Sequence, residues 1–317
     1  MDELIQRGKN NQLKSLNRED RRLSDKTLRV YRGNITKLYR ECNKEEIDIL
    51  DLRWVVNNVE KIDDYIKMNY KPSCRKNMYS VLIALMYVDD RYNKERDILI
   101  GRSMLNYEER DVELSRPNIE IERKLISLEE YKNFVRLLEV KHYKEYVMLR
   151  MIECLYCRNE IGTLILIEKS EFVKLDESIV GGNNWLVMMG DGMVVYRYKY
   201  KSAGTNGLIK SDICVDVIKI VKEYIKRSGL KSGEKVFGLT EQQVSARLSY
   251  VSEGMIGVKL STSSIFKILV SNVVDSCGGD IKRITERLKE IGALRGTSLK
   301  ILLNYYVYNV VDKEGIM

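Results

Sequence analysis

The sequence is poor in several residue types, and each shortage excludes something. Its 317 residues include one histidine, two prolines, four phenylalanines and two tryptophans. A single histidine excludes a metal site built from several histidines, and no nucleophile motif accompanies it. With so few prolines, long stretches run uninterrupted, which favours a mainly helical protein. No run approaches the ~20 apolar residues of a membrane span, so we expect no membrane partner.

The cysteines and the N-terminus bear on the cellular compartment. The charged first residues have no apolar core, so we expect no signal peptide and an intracellular protein, cytoplasmic or, in a eukaryotic host, nuclear. Free thiols are then expected for all six cysteines. Cys154 and Cys157 have the spacing of a metal or redox pair, but they lie in an apolar helical run without a second pair. That context favours two buried core cysteines.

Positive charge is in modest excess. Lysine and arginine number 54 against 46 aspartates and glutamates, giving a net charge of +8 and an isoelectric point near 9.0. A basic protein attracts polyanions, since each neutralised phosphate releases a counterion. The balance favours a nucleic-acid partner.

The first half of the chain shows a polar tail (1–20) and a helical domain (21–110), followed by a linker around Pro117 (111–126). Ser24 is a good N-cap for a helix with apolar residues at three- and four-residue steps. Further helices are predicted near 54–59 and 62–68, and another follows Pro72, capped by Ser73. Basic residues on these helices are candidate DNA contacts: Lys26, Arg29, Arg32, Lys71, Arg75 and Lys76.

A second domain is predicted over residues 127–317. Ser127 and Glu130 have the spacing of a capping box, and an apolar helix follows at about 145–156. The period then changes, and three short strands are predicted at 184–189, 193–201 and 208–214, separated by glycine turns. Helical patterns return from residue 215. The predicted fold class is mainly α with a small antiparallel β-sheet.

Three polar elements follow one another in this second domain. Arg158 follows the apolar helix and has Glu160 two residues on. Lys201 lies at the hairpin-like stretch, with Lys199 as the alternative, since strand alternation puts both on one face. Tyr305 lies near the C-terminus beside Tyr306.

In order and spacing these parts resemble the tyrosine recombinase (phage integrase) family. The stretch Tyr200-Lys201-Ser202 resembles the Tyr-Lys-Thr form of integrases from large DNA viruses and related mobile elements. The resemblance covers the chain from about residue 24. It implies a helical core-binding (SAM-like) domain followed by a catalytic domain, acting on double-stranded DNA as a tetramer, with no metal or other cofactor.

The resemblance also implies a role for each residue. Arg158 would bind a non-bridging phosphate oxygen, and Glu160 would hold its guanidinium. Lys201 would act as general acid on the leaving 5′ oxygen. Tyr305 would attack the phosphate, which gives a 3′-phosphotyrosyl link and hence DNA recombination or integration.

The chain departs from the family pattern at two motifs. The family's His-x-x-Arg falls on Ser264 and Lys267, or on Phe266 for the arginine if the alignment shifts by one residue. The family's later histidine falls on Gly296, where Arg295 is the adjacent basic residue. Loss of one such donor typically costs roughly 2.7–4 kcal/mol of transition-state stabilisation.

Three functions therefore stay open at the level of sequence. The first is an active recombinase or integrase with Tyr305 as nucleophile. The second is a catalytically decayed protein that keeps the fold and binds DNA without cleaving it. The third is a helical interaction protein whose basic residues are only solvated surface.

Overall fold

The structure is a computed structural model that describes residues 1–20, 22–43, 47–115 and 126–306, without the side chains at 110–115, 205 and 304–306. The chain divides into two compact units, Met1–Arg116 and Pro117–Met317. It is mainly α-helical with one small β-sheet, as the sequence predicts.

The first unit is helical throughout its described part. Its helices are α1 (Asp2–Ser15), α2 (Asp25–Cys42), α3 (Arg53–Val56), α4 (Val59–Asn69), α5 (Pro72–Met86), a short 3-10 turn (Asp90–Tyr92) and α6 (Asn93–Ser115). Ser24 caps α2 as predicted, because its side chain accepts a hydrogen bond from the backbone N–H of Thr27. Ile35, Leu38 and Cys42 are fully buried on the predicted stripe.

The predicted N-terminal tail is instead the packed helix α1. Ile5 is fully buried. The side chain of Gln6 accepts a hydrogen bond from the backbone N–H of Leu23 at 2.8 Å, and Asn11 donates one to the carbonyl of Tyr87 at 2.9 Å. Polar side chains thus fasten a helix whose apolar pattern is too sparse to show in the sequence.

Two predicted boundaries in the first unit also change. Helix α5 begins at Pro72 with Lys71 as N-cap, and Ser73 lies inside it. Proline suits the first helical position, where its missing N–H has no partner in any case. Helix α6 continues through Ser115, so the first residues of the predicted linker are helical, and residues 116–125 lie outside the described part.

The second unit combines helices with the sheet. In chain order it contains α7 (Leu128–Lys141), α8 (Tyr143–Leu155), a 3-10 turn (Asn159–Thr163), β1 (Leu164–Glu168), α9 (Lys169–Phe172), α10 (Glu177–Gly181), β2 (Asn184–Met189), β3 (Gly192–Arg197), α11 (Ala203–Asn206), β4 (Ile209–Asp212), α12 (Val215–Ser228), α13 (Glu241–Ile256), α14 (Thr262–Ser276), α15 (Ile281–Arg295) and α16 (Leu299–Tyr306). The predicted capping box of Ser127 and Glu130 starts α7.

The sheet has the order β1-β2-β3-β4 and is mixed. The three predicted strands form its antiparallel part, although β3 ends at Arg197 rather than at residue 201. Strand β1 was missed, and it pairs with β2 in parallel. A continuous apolar run is typical of a buried parallel strand. Such a run lacks the alternation of a half-buried strand, so its sequence cannot be distinguished from that of the apolar helix nearby.

Separate apolar clusters hold the second unit together. The largest packs α7, α8, α12 and α13 against one face of the sheet, with Met148, Leu186 and Val195 among its buried members. Another joins the last three helices through Phe266, Leu288 and Leu302. This second cluster fixes α16 against α14 and α15.

Two cysteines are paired, contrary to the prediction of free thiols. Cys154, in the last turn of α8, forms a disulfide with Cys214, the N-cap of α12, with their Cα atoms 6.0 Å apart. Cys157 is a buried free thiol, as expected for a core cysteine. Within the described residues, no helix combines the length and apolar character needed to cross a membrane.

Candidate functional site

Arg158 follows α8 through a tight turn. Tyr156 ends the helix in the left-handed conformation, with φ of 47°, and Arg158 precedes the 3-10 turn. We call residues 156–158 the Tyr156 turn. The Arg158 side chain is half-buried, and its buried Nη1 atom has no hydrogen-bond partner in the described part of the chain. A buried guanidinium nitrogen without a partner suits an anionic oxygen that arrives from outside, although Arg96, Arg150 and Arg197 each have a buried Nε atom in the same state.

Glu160 pairs with a different arginine from the one expected. Its carboxylate accepts a hydrogen bond from Arg197 at 3.1 Å, and both side chains are almost completely buried. Arg197 also donates to the carbonyl of Leu294. Through Arg197, strand β3 is therefore bonded both to the end of α15 and to the segment after Arg158. Arg158 itself makes no ion pair with a described residue.

The N-terminus of α14 lies beside the Tyr156 turn. Thr262, its first residue, donates a hydrogen bond to the side chain of Asn159 at 2.6 Å. Ser261 caps the helix by accepting from the N–H of Ser264, and the two hydroxyls are 2.9 Å apart. Lys267 is half-buried one turn further along. A helix N-terminus attracts anions, so the start of α14 adds positive potential near Asn159.

The two candidate lysines follow β3 rather than lie in it. Both backbone groups of Lys199 bond to the side chain of Asn184, each at 2.8 Å. Tyr200 is buried, and its hydroxyl donates to the carbonyl of Gly207 at 2.7 Å. Lys201 is exposed in the turn that follows. The alternation that put both lysines on one face does not apply, because the strand has already ended.

Gly296 joins this loop to the end of α15. It ends α15 in the left-handed conformation, with φ of 65°, and its carbonyl accepts a hydrogen bond from Ser202. A Cβ atom placed on Gly296 would come within 2.6 Å of the Tyr200 ring. The backbone here has no room for a side chain.

Arg295 points into the protein. Its side chain is 3% exposed, and its Nη1 atom donates to the carbonyls of Tyr156 and Cys157, each at 3.2 Å. The guanidinium also stacks on Phe266, 3.5 Å from the ring centre. Arg295 therefore contacts the Tyr156 turn, and in this arrangement it does not offer a donor at the surface.

The candidate nucleophile belongs to α16. Leu302, three residues before Tyr305, is fully buried against the last helices. The backbones of Tyr305 and Tyr306 are in α16, and their side chains lie outside the described part. The turn at Gly296 therefore connects the Lys201 loop to the helix that carries Tyr305.

Burial and nearby charges shift the pKa values of Tyr200 and Cys157. Burial raises the pKa of the Tyr200 phenol, and the charges of Arg197, Glu160 and Arg158 act on it as well. Burial also raises the pKa of the Cys157 thiol to about 12. The thiol beside Arg158 is therefore protonated at neutral pH and is a poor nucleophile.

The residue types present suit phosphate better than metal. Among the described residues, no group of three or more histidine, cysteine, aspartate or glutamate side chains is arranged to hold a metal ion. Arg158, whose buried Nη1 atom has no partner among the described residues, is a group that binds anionic oxygen.

The candidate DNA contacts of the first unit fall into two groups. Lys26, Arg29, Lys71 and Lys76 are exposed, and Arg32 is exposed with Asp2 at 3.7 Å. Arg75 differs, because its guanidinium donates to the carbonyls of Tyr70 and Lys67 and to Glu109. We assign Arg75 to packing and keep the other five as proposed contacts.

Sequence reasoning missed several residues that shape the site: Asn159, Asn184, Arg197 and Thr262. Only Arg197 had a visible signal. It follows Met193 and Val195 at two-residue steps, so it continues the inward face of β3, where an arginine needs a buried partner. The others act through contacts between distant segments, which no local pattern marks.

Comparison with known proteins does not identify a family for this chain. No protein-family model matches the chain, and no curated protein matches it. Among solved structures, the crystal structure of XerA recombinase aligns over 96% of this chain and 93% of that chain, with 13% sequence identity and a TM-score of 0.39. From a likeness of that extent we draw nothing about function.

Proposed function

We propose that this chain is a tyrosine recombinase that cuts and rejoins DNA at specific sites through Tyr305. The observation that carries the proposal is the unpartnered, buried Nη1 atom of Arg158. Arg158 precedes Asn159, which contacts the start of α14, and a separate hydrogen bond joins the Lys201 loop to the turn into α16. These are the elements that hold the motif residues found in the sequence.

The proposed reaction is a transfer of one phosphodiester between oxygen atoms. The Tyr305 hydroxyl loses its proton to solvent, and its oxygen attacks phosphorus while the 5′ oxygen of the next nucleotide leaves. A 3′-phosphotyrosyl bond forms, the 5′ P–O bond breaks, and Lys201 gives its proton to the leaving oxygen. Attack by a 5′ hydroxyl from another strand reverses the step. One phosphodiester bond replaces another in each step, so the reaction needs no energy source and consumes no cofactor.

The protein's other groups stabilise charge on the phosphate. Catalysis of phosphoryl transfer depends largely on positioning and electrostatic stabilisation. Arg158 would bind a non-bridging oxygen, and Lys267 with the α14 N-terminus would add positive charge. Lys201 is preferred to Lys199 as the acid, because the Lys199 backbone is fixed by Asn184 whereas Lys201 lies in an exposed turn.

The first unit would hold the DNA. Its exposed basic residues, Lys26, Arg29, Arg32, Lys71 and Lys76, suit contacts with the phosphate backbone. Recombination joins two duplexes at four strands, so we further propose that a tetramer assembles on DNA.

Trapping the covalent intermediate tests the proposal. The bound sequence is first obtained by selection from a random duplex library. A duplex nicked near each candidate cleavage position then loses its short fragment, so the 3′-phosphotyrosyl adduct cannot be reversed. We expect an adduct with the unmodified chain and with Tyr306→Phe, and none with Tyr305→Phe. Absence of any adduct across all nick positions would overturn the cleavage reaction.

A second function is favoured by the closed position at Gly296. No side chain fits there, and the Ser264 hydroxyl lies 2.9 Å from the hydroxyl of Ser261, the N-cap of α14. A chain that binds DNA but lacks cleavage would show salt-sensitive binding that Tyr305→Phe leaves unchanged. Lys267→Arg distinguishes a decayed site from one that never cleaved DNA, because it introduces a planar guanidinium without crowding Gly296. An adduct gained by that change would indicate a decayed recombinase site.

A further inference from the structure

The Tyr156 turn is a strained element. Left-handed backbone conformations are uncommon for residues other than glycine and persist only where the surroundings enforce them. Tyr156 adopts φ of 47° and ψ of 25° directly before the buried Cys157 and the half-buried Arg158. The direction in which Arg158 leaves α8 therefore depends on what holds this turn.

Arg295 holds it from a distant segment. Its Nη1 atom bridges the carbonyls of Tyr156 and Cys157, both at 3.2 Å. Phe266 supports the arrangement, since it carries the Arg295 guanidinium on its face and meets the Tyr156 ring edge-on at 6.2 Å. One arginine and one aromatic ring thus fix the turn.

The position of Arg295 in the chain gives this contact a consequence. Arg295 is the last residue of α15, and Gly296 then turns the chain toward α16. The Arg295 side chain consequently connects the backbone that sets the direction of Arg158 with the turn that leads to Tyr305.

We propose that Arg295 is a positioning residue that keeps Arg158 and the Tyr305 helix in one fixed relation. The inference rests on the proposed function, in which Arg158 binds the phosphate. Arg295 does not touch DNA itself, because its side chain is 3% exposed. It acts through Arg158, and loss of Arg295 matters only while Arg158 is present.

A double-mutant cycle on the trapped-adduct reaction tests this dependence. A misplacement of about 1 Å remote from the chemistry can cost roughly 10²-fold in rate, so Arg295→Met should slow adduct formation by about that factor. DNA affinity should stay nearly unchanged, because it depends mostly on backbone contacts spread over the interface. In an Arg158→Ala chain, Arg295→Met should have little further effect.

Other variants separate positioning from general damage. Arg295→Lys keeps the charge and one donor group, so it should recover part of the rate. Arg247→Met is a control for loss of an arginine elsewhere in the unit, since Arg247 pairs with Glu145. Additive losses in the cycle, or equal falls in rate and affinity, would overturn the proposal.

A second readout needs no DNA and so separates failure of this inference from failure of the proposed function. Cys157 lies inside the turn, and a thiol reagent reaches its buried thiol only when the turn opens. Arg295→Met should raise the labelling rate of Cys157 under conditions where Trp185 fluorescence shows a folded unit. If that variant does not fold, Phe266→Leu should raise the rate for the same reason. Unchanged labelling in a folded variant would contradict the positioning role even if the chain never cleaves DNA.

Discussion

Glu160 and Arg197 form a buried ion pair at 3.1 Å, with side chains 3% and 1% exposed. Removing one partner of a buried pair leaves an uncompensated charge and typically costs roughly 3–5 kcal/mol. We expect Arg197→Met to lower the free energy of unfolding of the second unit by about that amount. Replacing both residues, in Arg197→Met with Glu160→Leu, should cost less, since no charge is then stranded.

Tryptophan fluorescence can report on each unit separately. The chain has two tryptophans, Trp54 and Trp185, and one lies in each unit. Urea unfolding of a Trp54→Phe chain, followed through Trp185, measures the second unit. A double variant no more stable than Arg197→Met alone would argue against a stranded charge.

Glu153 and Glu130 should give pH dependences of opposite sign. Burial raises the pKa of Glu153 above its ordinary value of 4.5, although Tyr131 and Arg150 act against this. A raised pKa contributes stability below the unfolded value, and that stability is lost as pH rises through the folded value. From below pH 4.5 to neutrality, Glu153→Gln should therefore gain stability relative to the unmodified chain.

Glu130 supplies the control. Hydrogen bonds from the backbone and hydroxyl of Ser127 lower its pKa. Its contribution is present above the unfolded pKa and is lost as pH falls through the folded one. Glu130→Gln should thus lose stability relative to the unmodified chain as pH rises. Slopes of the same sign, in urea midpoints read through Trp185, would show that the burial argument fails.

Gly229 and Gly296 separate backbone strain from crowding. Both end helices in the left-handed conformation, with φ of 63° and 65°. A Cβ at Gly229 would meet open space, whereas one at Gly296 would come within 2.6 Å of Tyr200. Gly229→Ala should cost about 1–2 kcal/mol for the conformation alone. Gly296→Ala should cost a further ~1–3 kcal/mol for overpacking, and equal losses in the two variants would contradict this.

The disulfide between Cys154 and Cys214 should be measurable chemically. The bond closes a loop with a sequence separation of 60, which in the chain-entropy account stabilises by about 4 kcal/mol. We expect four free thiols in the denatured chain without reductant. Dithiothreitol should raise the count and lower the Tm of the second unit, whereas a chain with Cys154→Ser and Cys214→Ser should not respond. Six thiols at the outset would exclude the bond.

Arg75 and the exposed basic residues of α2 should respond differently to mutation. Lys26→Ala and Arg29→Ala should each lower the slope of log affinity for duplex DNA against log salt by about 1, with no change in stability. Arg75→Ala should leave the slope alone and destabilise the first unit by about 1–3 kcal/mol, since two carbonyls lose their donor. Unfolding read through Trp54 in a Trp185→Phe chain, with salt titrations, checks both.

Local chemistry explains which features were predictable from the sequence. Ser24 and Ser127 cap helices through residues three positions away, and such spacing is legible in the sequence. The Glu160–Arg197 and Thr262–Asn159 contacts span 37 and 103 residues, so their existence depends on the packed fold. Arg158 and Lys201 could be named as candidates from the order of motifs, whereas the partner of Glu160 could not be predicted. Strand β1 was missed because its apolar run has no alternation to identify it.

The contacts of α1 bear on how the chain can be shortened. Gln6 and Asn11 fasten that helix to Leu23 and Tyr87, and Ile5 fills the core beneath it. Trimming the first fifteen or so residues as dispensable would uncover the apolar surface of α5. Uncovered apolar surface of that kind promotes aggregation. A shortened chain that precipitates would then reflect a lost helix rather than an intrinsically unstable first unit.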